Sequence, residues 1–328
     1  MLGVLRGPVA SALARRLALS VPLLLLVSIV LFVLVSFVPG DPAEAILGPR
    51  ALSTATPEQY ELVNHQLGAD RPIYERYWAW LVDAVQGDFG TSISQSTINQ
   101  DVMQVISQRF PTTLSLVTGA LLVSLVIGVA LGVASAVWGG RLGRAVDALS
   151  VVGFVVPGYL WAAWLIALLA VKVRWFPATG YVPFSEDPVE WLRSLALPVA
   201  ALSALPIGIF AKYTRDGMLD ALASEHVRMA RANGIPWRAI VFRNALKPAS
   251  LQVATLTGLL AVGLMSSAVF IETVFALPGL GSTVVQATIQ HDIFVVQGVA
   301  VVITLIVIAV NIVIDVVYGL LSPKVRAL

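Results

Sequence analysis

An all-α polytopic membrane protein is the fold class that three features of this 328-residue sequence predict. Hydrophobic residues make up 58% of the chain and charged residues only 12%, about half the charge content of a soluble domain. The charges that remain leave six long stretches almost free of Asp, Glu, Lys and Arg. The basic residues then gather in alternate connections between those stretches, the pattern that orients helices in a bilayer.

A hydrocarbon core of roughly 30 Å takes about 20 helical residues at 1.5 Å each. The first span, 17–38, follows an N-terminal arm, 1–16, that carries Arg15 and Arg16, and it stops at Pro39-Gly40-Asp41-Pro42. Its apolar run is long for a cleaved leader and ends in Ser36-Phe37-Val38-Pro39, without a small-x-small site, so it is expected to stay as a signal anchor. Residues 39–109 carry apolar groups of their own, including Tyr60, Trp78, Trp80 and Phe89, and are expected to form an external folded segment. Thr56 and Pro57 start one helix there that Gly68 stops; Pro72 starts a second, aromatic-rich helix that Gly87 closes. A solvated lid and a surface for a substrate-delivering protein are both open readings of this segment. Further spans are expected at 110–138, 148–171, 194–211, 248–271 and 293–320, within a core of 110–328. Pro198 and Pro206 in the fourth span are tolerated because neighbouring helices and water satisfy the freed carbonyls. Trp138, Trp175, Tyr181, Trp191 and Tyr318 lie near span ends, at headgroup level. Trp161 and Trp164 sit mid-span, either as bulk toward lipid and neighbours or as the wall of a substrate path.

With the N-terminus in the cytoplasm, fourteen of the 21 basic residues fall on that side, in the N-terminal arm, 139–147, 212–247 and the C-terminal tail. The two short external loops hold only Lys172, Arg174 and Arg193. The opposite orientation would put all seven basic residues of 212–247 outside, so both termini are expected to be cytoplasmic.

Segment 212–247 is too long and too patterned to be a simple connection. Leu219, Leu222, Ala223, His226 and Ala230 recur at three- and four-residue spacing, beside a charged face with Glu225, Arg228 and Arg231. Asn233-Gly234 supplies a left-handed stop, and Pro236 presets a second helix in which Ile240, Val241 and Leu246 are apolar. The result is an L-shaped helical elbow on the cytoplasmic side. It suits a groove on another protein, whose motion it would pass to the spans on either side; a basic amphipathic helix resting on anionic lipid is the alternative.

The string Glu225-His-Val-Arg-Met-Ala-Arg-Ala-Asn-Gly234 resembles the cytoplasmic "EAA" loop of ABC-importer permeases, in the form typical of the dipeptide and oligopeptide branch. Against the wider family pattern, aligned on Gly234, only Ala230, Gly234 and Leu246 fit, and proline comes one place late at Pro248. Other strings are similar to the first, B-type permease subunit of that branch: Arg15-Arg16, Pro39-Gly40-Asp41-Pro42, Gly87-Asp88-Phe89-Gly90, Arg109-Phe110-Pro111-Thr112-Thr113, and Glu272 through Gly281. The resemblance implies the type I ABC importer transmembrane fold, in a bacterial or archaeal cell membrane. It also implies the partners: a second homologous permease, two ATP-binding subunits that hold ATP and Mg, and an external substrate-binding protein that delivers peptide. It places Glu225, Arg228, Met229, Ala230, Arg231, Ala232 and Gly234 at the contact with an ATP-binding subunit.

Other chemistry finds no footing. With no cysteine there is no disulfide, thiolate nucleophile or Cys-based metal site, and His65, His226 and His291 are scattered. None of the four lysines follows a glycine, so the chain carries no phosphate-binding Gly-x4-Gly-Lys-Ser/Thr loop and is not itself an ATPase. No catalytic residue, cofactor, metal or nucleic-acid partner is expected. The rival reading, a secondary transporter driven by protons or sodium, usually needs ionisable groups at the midplane, and these spans offer only scattered Ser, Thr and Gly.

Overall fold

Two long helices start at aspartate caps, and several helices end at a proline or a left-handed residue. The computed structural model describes residues 8–37, 61, 65, 71–94, 97–290 and 292–321. The stop at residues 39–42, the Thr56-Pro57 helix start, the Gly68 stop, Tyr60 and His291 lie outside them. In chain order the helices are α1 Pro8–Ser36, α2 Ile73–Val85, α3 Val102–Trp138, α4 Gly140–Val155 and α5 Gly158–Lys172. Then come α6 Pro188–Ala223, α7 Glu225–Ala232, α8 Trp237–Val274, α9 Leu280–Ile289 and α10 Ile293–Leu321. Among the described residues, β pairing is confined to the bridge between Thr91 and Asp101. Among the described residues four helices, α3, α6, α8 and α10, are long and apolar enough to cross a membrane, five if the bent α4–α5 pair counts as one span; α1 contributes the apolar stretch Ala18–Leu34.

Two helices begin well before their charge-free stretches because an aspartate caps them. Asp101 Oδ1 accepts from the Met103 amide at 2.7 Å, so α3 starts at Val102 rather than near 110. Asp187 Oδ1 accepts from Val189 and Glu190, ahead of Pro188 in the first turn, so α6 starts at 188 rather than 194. The stretch 148–171 is not one straight helix: α4 and α5 meet at 102°. Pro157 is the cause. It biases Val156 out of the α region, and Val156 is extended at φ −86°, ψ 116°.

The described residues form two compact units. The first comprises, among the described residues, 8–13, 114–277 and 309–321 and is built around α6, whose apolar window is 61% buried against 33% for α3 and α8. Gly128 and Gly132 on α3 let the backbones of α3 and α6 nearly touch: a Cβ on Gly132 would stand 2.5 Å from Thr214 Cβ and 2.7 Å from the Ala211 carbonyl oxygen. This is small-xxx-small packing, in which missing side chains replace bulk apolar contact as the reason to associate. On the α4 side, Ser150 Oγ donates to the Gly208 carbonyl at 2.8 Å. Arg215 on α6 grips both oxygens of Asp147 on α4, at 3.0 and 3.1 Å, while Lys212 pairs with Asp216 at 3.1 Å. Lys212 and Arg215 therefore belong to the end of α6 rather than to the elbow surface.

In the same unit α8 ends on a reversed turn, with Leu277 N–H donating to Glu272 O at 2.8 Å and Ala276 at φ +52°. Glu272, expected in an external loop, is fully buried in that last turn. A cavity of about 370 Å³ opens at the α4–α5 bend, lined by Pro157, Tyr159, Trp161, Leu205, Ser267 and Phe270 among others. Trp161 faces this cavity, whereas Trp164, edge-on to it with ring centroids 6.0 Å apart, is 58% exposed.

The second unit, 14–113 with 278–308, has its own core of Phe32, Trp80, Phe89, Val102, Ile106, Leu280, Val295 and Val299. Phe32, Tyr77, Trp80 and Phe89 form a chain of rings with centroids 5.4 to 6.4 Å apart. The expected loop 272–292 contains α9, whose Leu280 amide donates to Thr113 Oγ1 at 2.8 Å. Asp292, expected in that loop, is fully buried. Its Oδ2 accepts from Ser92 Oγ at 2.6 Å and from the Ile93 and Ser94 amides at 3.0 and 2.9 Å, and its Oδ1 accepts from the Val295 amide at 3.2 Å. A buried carboxylate survives there because several donors replace its water.

Candidate functional site

The elbow is built by interruption. α6 runs without a break through Leu219 and Leu222 to Ala223 and stops at Ser224, which adopts φ −67°, ψ 153°. Ser224 Oγ donates to the Ala221 carbonyl at 2.5 Å and lies 2.9 Å from His226 Nδ1. α7 then starts afresh, with Glu225 in its first turn, where a negative charge suits the helix dipole. The break resets the helical phase, which corrects the single stripe expected from the sequence. The buried residues of α7 are Val227 and Ala230; Ala223 and His226 are exposed.

The far end of α7 is a complete Schellman closure. Gly234 N–H donates to Arg231 O at 3.0 Å and Ile235 N–H to Ala230 O at 3.1 Å, with Gly234 at φ +74°. Pro236, at φ −57° and ψ 139°, turns the chain into α8, whose first carbonyl bond is Ile240 N–H to Pro236 O at 3.1 Å. Residues Ile240–Leu246 wind as a π-helix. Pro248 explains this locally: it has no N–H to offer and its ring crowds the carbonyl four residues back, so the ladder loosens just before it.

Of the seven residues the sequence singled out, the structure places Glu225, Arg228, Met229, Arg231, Ala232 and Gly234 on the exposed side. Ala230 points inward, 6% exposed, into a cluster with Val227, Ile240 and Leu222. Its part is to let α7 sit close, and the outer surface is made by the others. Met229 is 68% exposed, an apolar side chain set among charges. Sequence reasoning missed Trp237, over whose ring the Arg231 guanidinium stacks at 4.7 Å. An aromatic in the first turn after Pro236, on the far side of a tight bend from a basic helix, was the available signal.

The elbow is bolted to three long helices. Beneath it Met218 of α6, Val241, Ala245 and Ala249 of α8 and Ala136 of α3 share one core, and a Cβ on Gly217 would meet Ala249 Cβ at 3.2 Å. Fully burying Val227 and Ile240 is worth about 1.5–3 kcal/mol each, and a core packed at crystal density passes displacement on rather than absorbing it. The Asp147–Arg215–Lys212 charges add little, since Asp147 and Lys212 are 43% and 48% exposed. Among the described residues no group of three or more His, Cys, Asp or Glu side chains is placed to hold a metal.

Apolar spans around a glycine-packed centre thus carry a short charged helix held out on a rigid bend, the build of an α-helical membrane protein. The chain belongs to the family of binding-protein-dependent transport system inner membrane components: that family model matches residues 124–327, and the model of the family's N-terminal part matches 10–117. A putative peptide transport system permease protein of Brucella abortus is 35% identical over 316 residues, 95% of this chain and 98% of its own. A di/tripeptide transport system permease protein of Pseudomonas aeruginosa is 32% identical over 337 residues, covering 96% of this chain and 98% of that one. A glutathione transport system permease protein of Shigella flexneri is 32% identical over 313 residues, 95% of this chain and 97% of its own. This chain is a multi-pass inner-membrane permease subunit of an ABC importer and is not itself catalytic.

Proposed function

We propose that the chain forms half of the passage of an ATP-driven peptide importer and that α7 is its contact with an ATP-binding subunit. One observation carries the coupling: α7 exposes Glu225, Arg228, Met229, Arg231 and Ala232 while its inner face is locked to α6 and α8. A partner that grips the outer face moves two long helices together. The remaining half of the passage comes from a second homologous permease. Two partner subunits bind ATP and Mg, and an external binding protein delivers the cargo. The peptide assignment is supported by the relatives' names, two of peptide systems and one of glutathione, itself a small peptide.

The topology that goes with this reading has six spans, the bent α4–α5 pair counting as one, with both termini and the elbow in a bacterial or archaeal cytoplasm. It is supported by the placement of the basic residues. The cavity at the bend, with Trp161 on its wall, is part of the passage on this reading.

The test exploits the absence of cysteine. Met229→Cys, in the assembled transporter, gives one thiol on the outer face of α7. It should cross-link to a cysteine introduced in a groove of the ATP-binding subunit, with a yield that changes between ATP-bound and nucleotide-free states. Labelling of Met229→Cys by a water-soluble maleimide, equal with and without the ATP-binding subunits, would sink the contact.

A further inference from the structure

The first unit has an apolar groove of about 910 Å³ between the second half of α3 and the first turns of α8. Its origin lies in the sequence of α3. Gly128 and Gly132 give one face of that helix to α6, and the neighbouring rows at four-residue spacing, positions 125, 129, 133 and 137 and positions 126, 130, 134 and 138, line the groove. Ala130 and Ala134 keep it deep, while Phe242 and Leu246, from the π-helical stretch of α8, form the opposite wall. The volume lies in the range of sites that enclose a small ligand, about 300–1,000 Å³.

Length and polarity say what fits. From Leu125 to Trp138 the groove runs about 20 Å at 1.5 Å per residue, and one leaflet with its headgroup layer measures about 20–22 Å. Trp138 and Trp237, 76% and 43% exposed, stand with Arg238 at the helix ends, and beyond them the lining is aliphatic apart from Phe242. Arg238 is the one charged residue among those lining the groove; it is exposed and, among the described residues, paired with no carboxylate. A second cation stands beside it, the Arg231 guanidinium over the Trp237 ring. Tryptophan and arginine confined to one end of an apolar trough one leaflet long are the complement of a phospholipid: the rings sit at headgroup level, and a guanidinium takes phosphate oxygens in a two-pronged grip.

We propose that this groove holds one phospholipid with an anionic headgroup, its phosphate at Arg238 between Trp138 and Trp237 and an acyl chain along the α3 rows. The proposal rests on the six-span topology above, which puts these helix ends in the cytoplasmic leaflet. Bound there, the lipid ties the end of α3 to the base of the elbow, because Trp237 also carries the stacked Arg231 of α7.

The experiment is native mass spectrometry of the assembled transporter released from detergent, titrated with phosphatidylglycerol and with phosphatidylcholine carrying the same acyl chains. Phosphatidylglycerol should bind at least fivefold more tightly than phosphatidylcholine at the first site filled. Arg238→Gln should bring the two within twofold and Arg238→Lys should keep part of the preference. Ala134→Trp, which fills the trough, should weaken both lipids tenfold or more, with unchanged thermal midpoints showing that the variants are folded. Equal binding of the two lipids to the wild type, a preference untouched by Arg238→Gln, or binding untouched by Ala134→Trp would overturn the proposal. No lipid retained by the assembled transporter would overturn it too and assign the groove to the second permease. If Ala134→Trp fails to assemble, Arg238→Gln decides. The measurement involves neither cargo nor membrane orientation, so its failure is distinguishable from failure of the peptide reading or of the topology.

Discussion

Replacing Gly234 isolates the backbone term that sets the elbow. Its φ is +74°, and a Cβ added there meets nothing within 4 Å. An alanine therefore loses no packing and pays only for the left-handed conformation, about 1–2 kcal/mol. That corresponds to roughly a 5- to 30-fold rise in the open population of the bend. The amides that report on it are Gly234 and Ile235, bonded to Arg231 O and Ala230 O. In hydrogen exchange, Gly234→Ala should lower protection at residue 235 by that factor, Gly234→Asn by clearly less, since asparagine tolerates the left-handed region, and neither should affect α3. Gly234→Pro removes the N–H and demands φ near −65°, a cost of about 3 kcal/mol or more. It should undock α7 and, on the coupling reading, leave ATP hydrolysis running without uptake. Alanine within twofold of wild type at residue 235, or asparagine no better than alanine, would refute control of the bend by residue 234. A proline variant with full uptake would refute the coupling.

Three further outcomes follow from packing and hydrogen bonding. Gly132→Val should strip the α3–α6 contact, where even a Cβ would sit 2.5 Å from Thr214, and cost about 1–3 kcal/mol or more, read as a lower thermal midpoint in detergent. Asp292→Ala leaves the Ile93 amide unpaired in a buried place, at about 1–3 kcal/mol, while Ser92 Oγ keeps Thr97 Oγ1 at 2.6 Å and the Ser94 amide keeps Ser92 Oγ at 3.3 Å; it should lower the thermal midpoint by more than Asp292→Asn, which keeps one acceptor oxygen. Ala276→Gly should raise the midpoint, because φ +52° costs an alanine about 1 kcal/mol that glycine avoids; a lower midpoint would show that the α8 turn is held by other contacts.

The bilayer makes some of this architecture readable and hides the rest. Charge-free length shows where helices cross, because each buried charge is expensive whatever the fold, and the stop at Gly234 follows from backbone sterics alone. Breaks inside apolar sequence are harder to read. Val156-Pro157-Gly158 interrupts a stretch whose residues are apolar on both sides, so no change of periodicity marks the 102° turn, and Pro157 is the one local signal of it. Ser224 carried a clear cap chemistry but lay inside a run whose three- and four-residue spacing continues by accident from Leu219 to Ala230. Asp292 was legible only as a charge near a span end, because Ser92 and Ser94 stand some 200 residues away in sequence and close only in space. The motif singled out seven residues of the elbow, and it took coordinates to show that six are exposed, that Ala230 turns inward and that Arg231 stacks on Trp237.

α6 is 36 residues long, so at 1.5 Å per residue it measures about 54 Å against a hydrocarbon core of roughly 30 Å. Nearly half of that length exceeds the hydrocarbon thickness, and Gly128 and Gly132 of α3 approach the helix closely between Ile207 and Thr214. It is placed like an oar in a rowlock: about a pivot near Ala211, roughly 18 Å from the far end at 1.5 Å per residue, a tilt of about 15° sweeps that end by roughly 5 Å. The blade end is the one that joins α7. On the coupling reading, a displacement there comparable to a single helical turn needs about 15° of rocking, without any helix having to break.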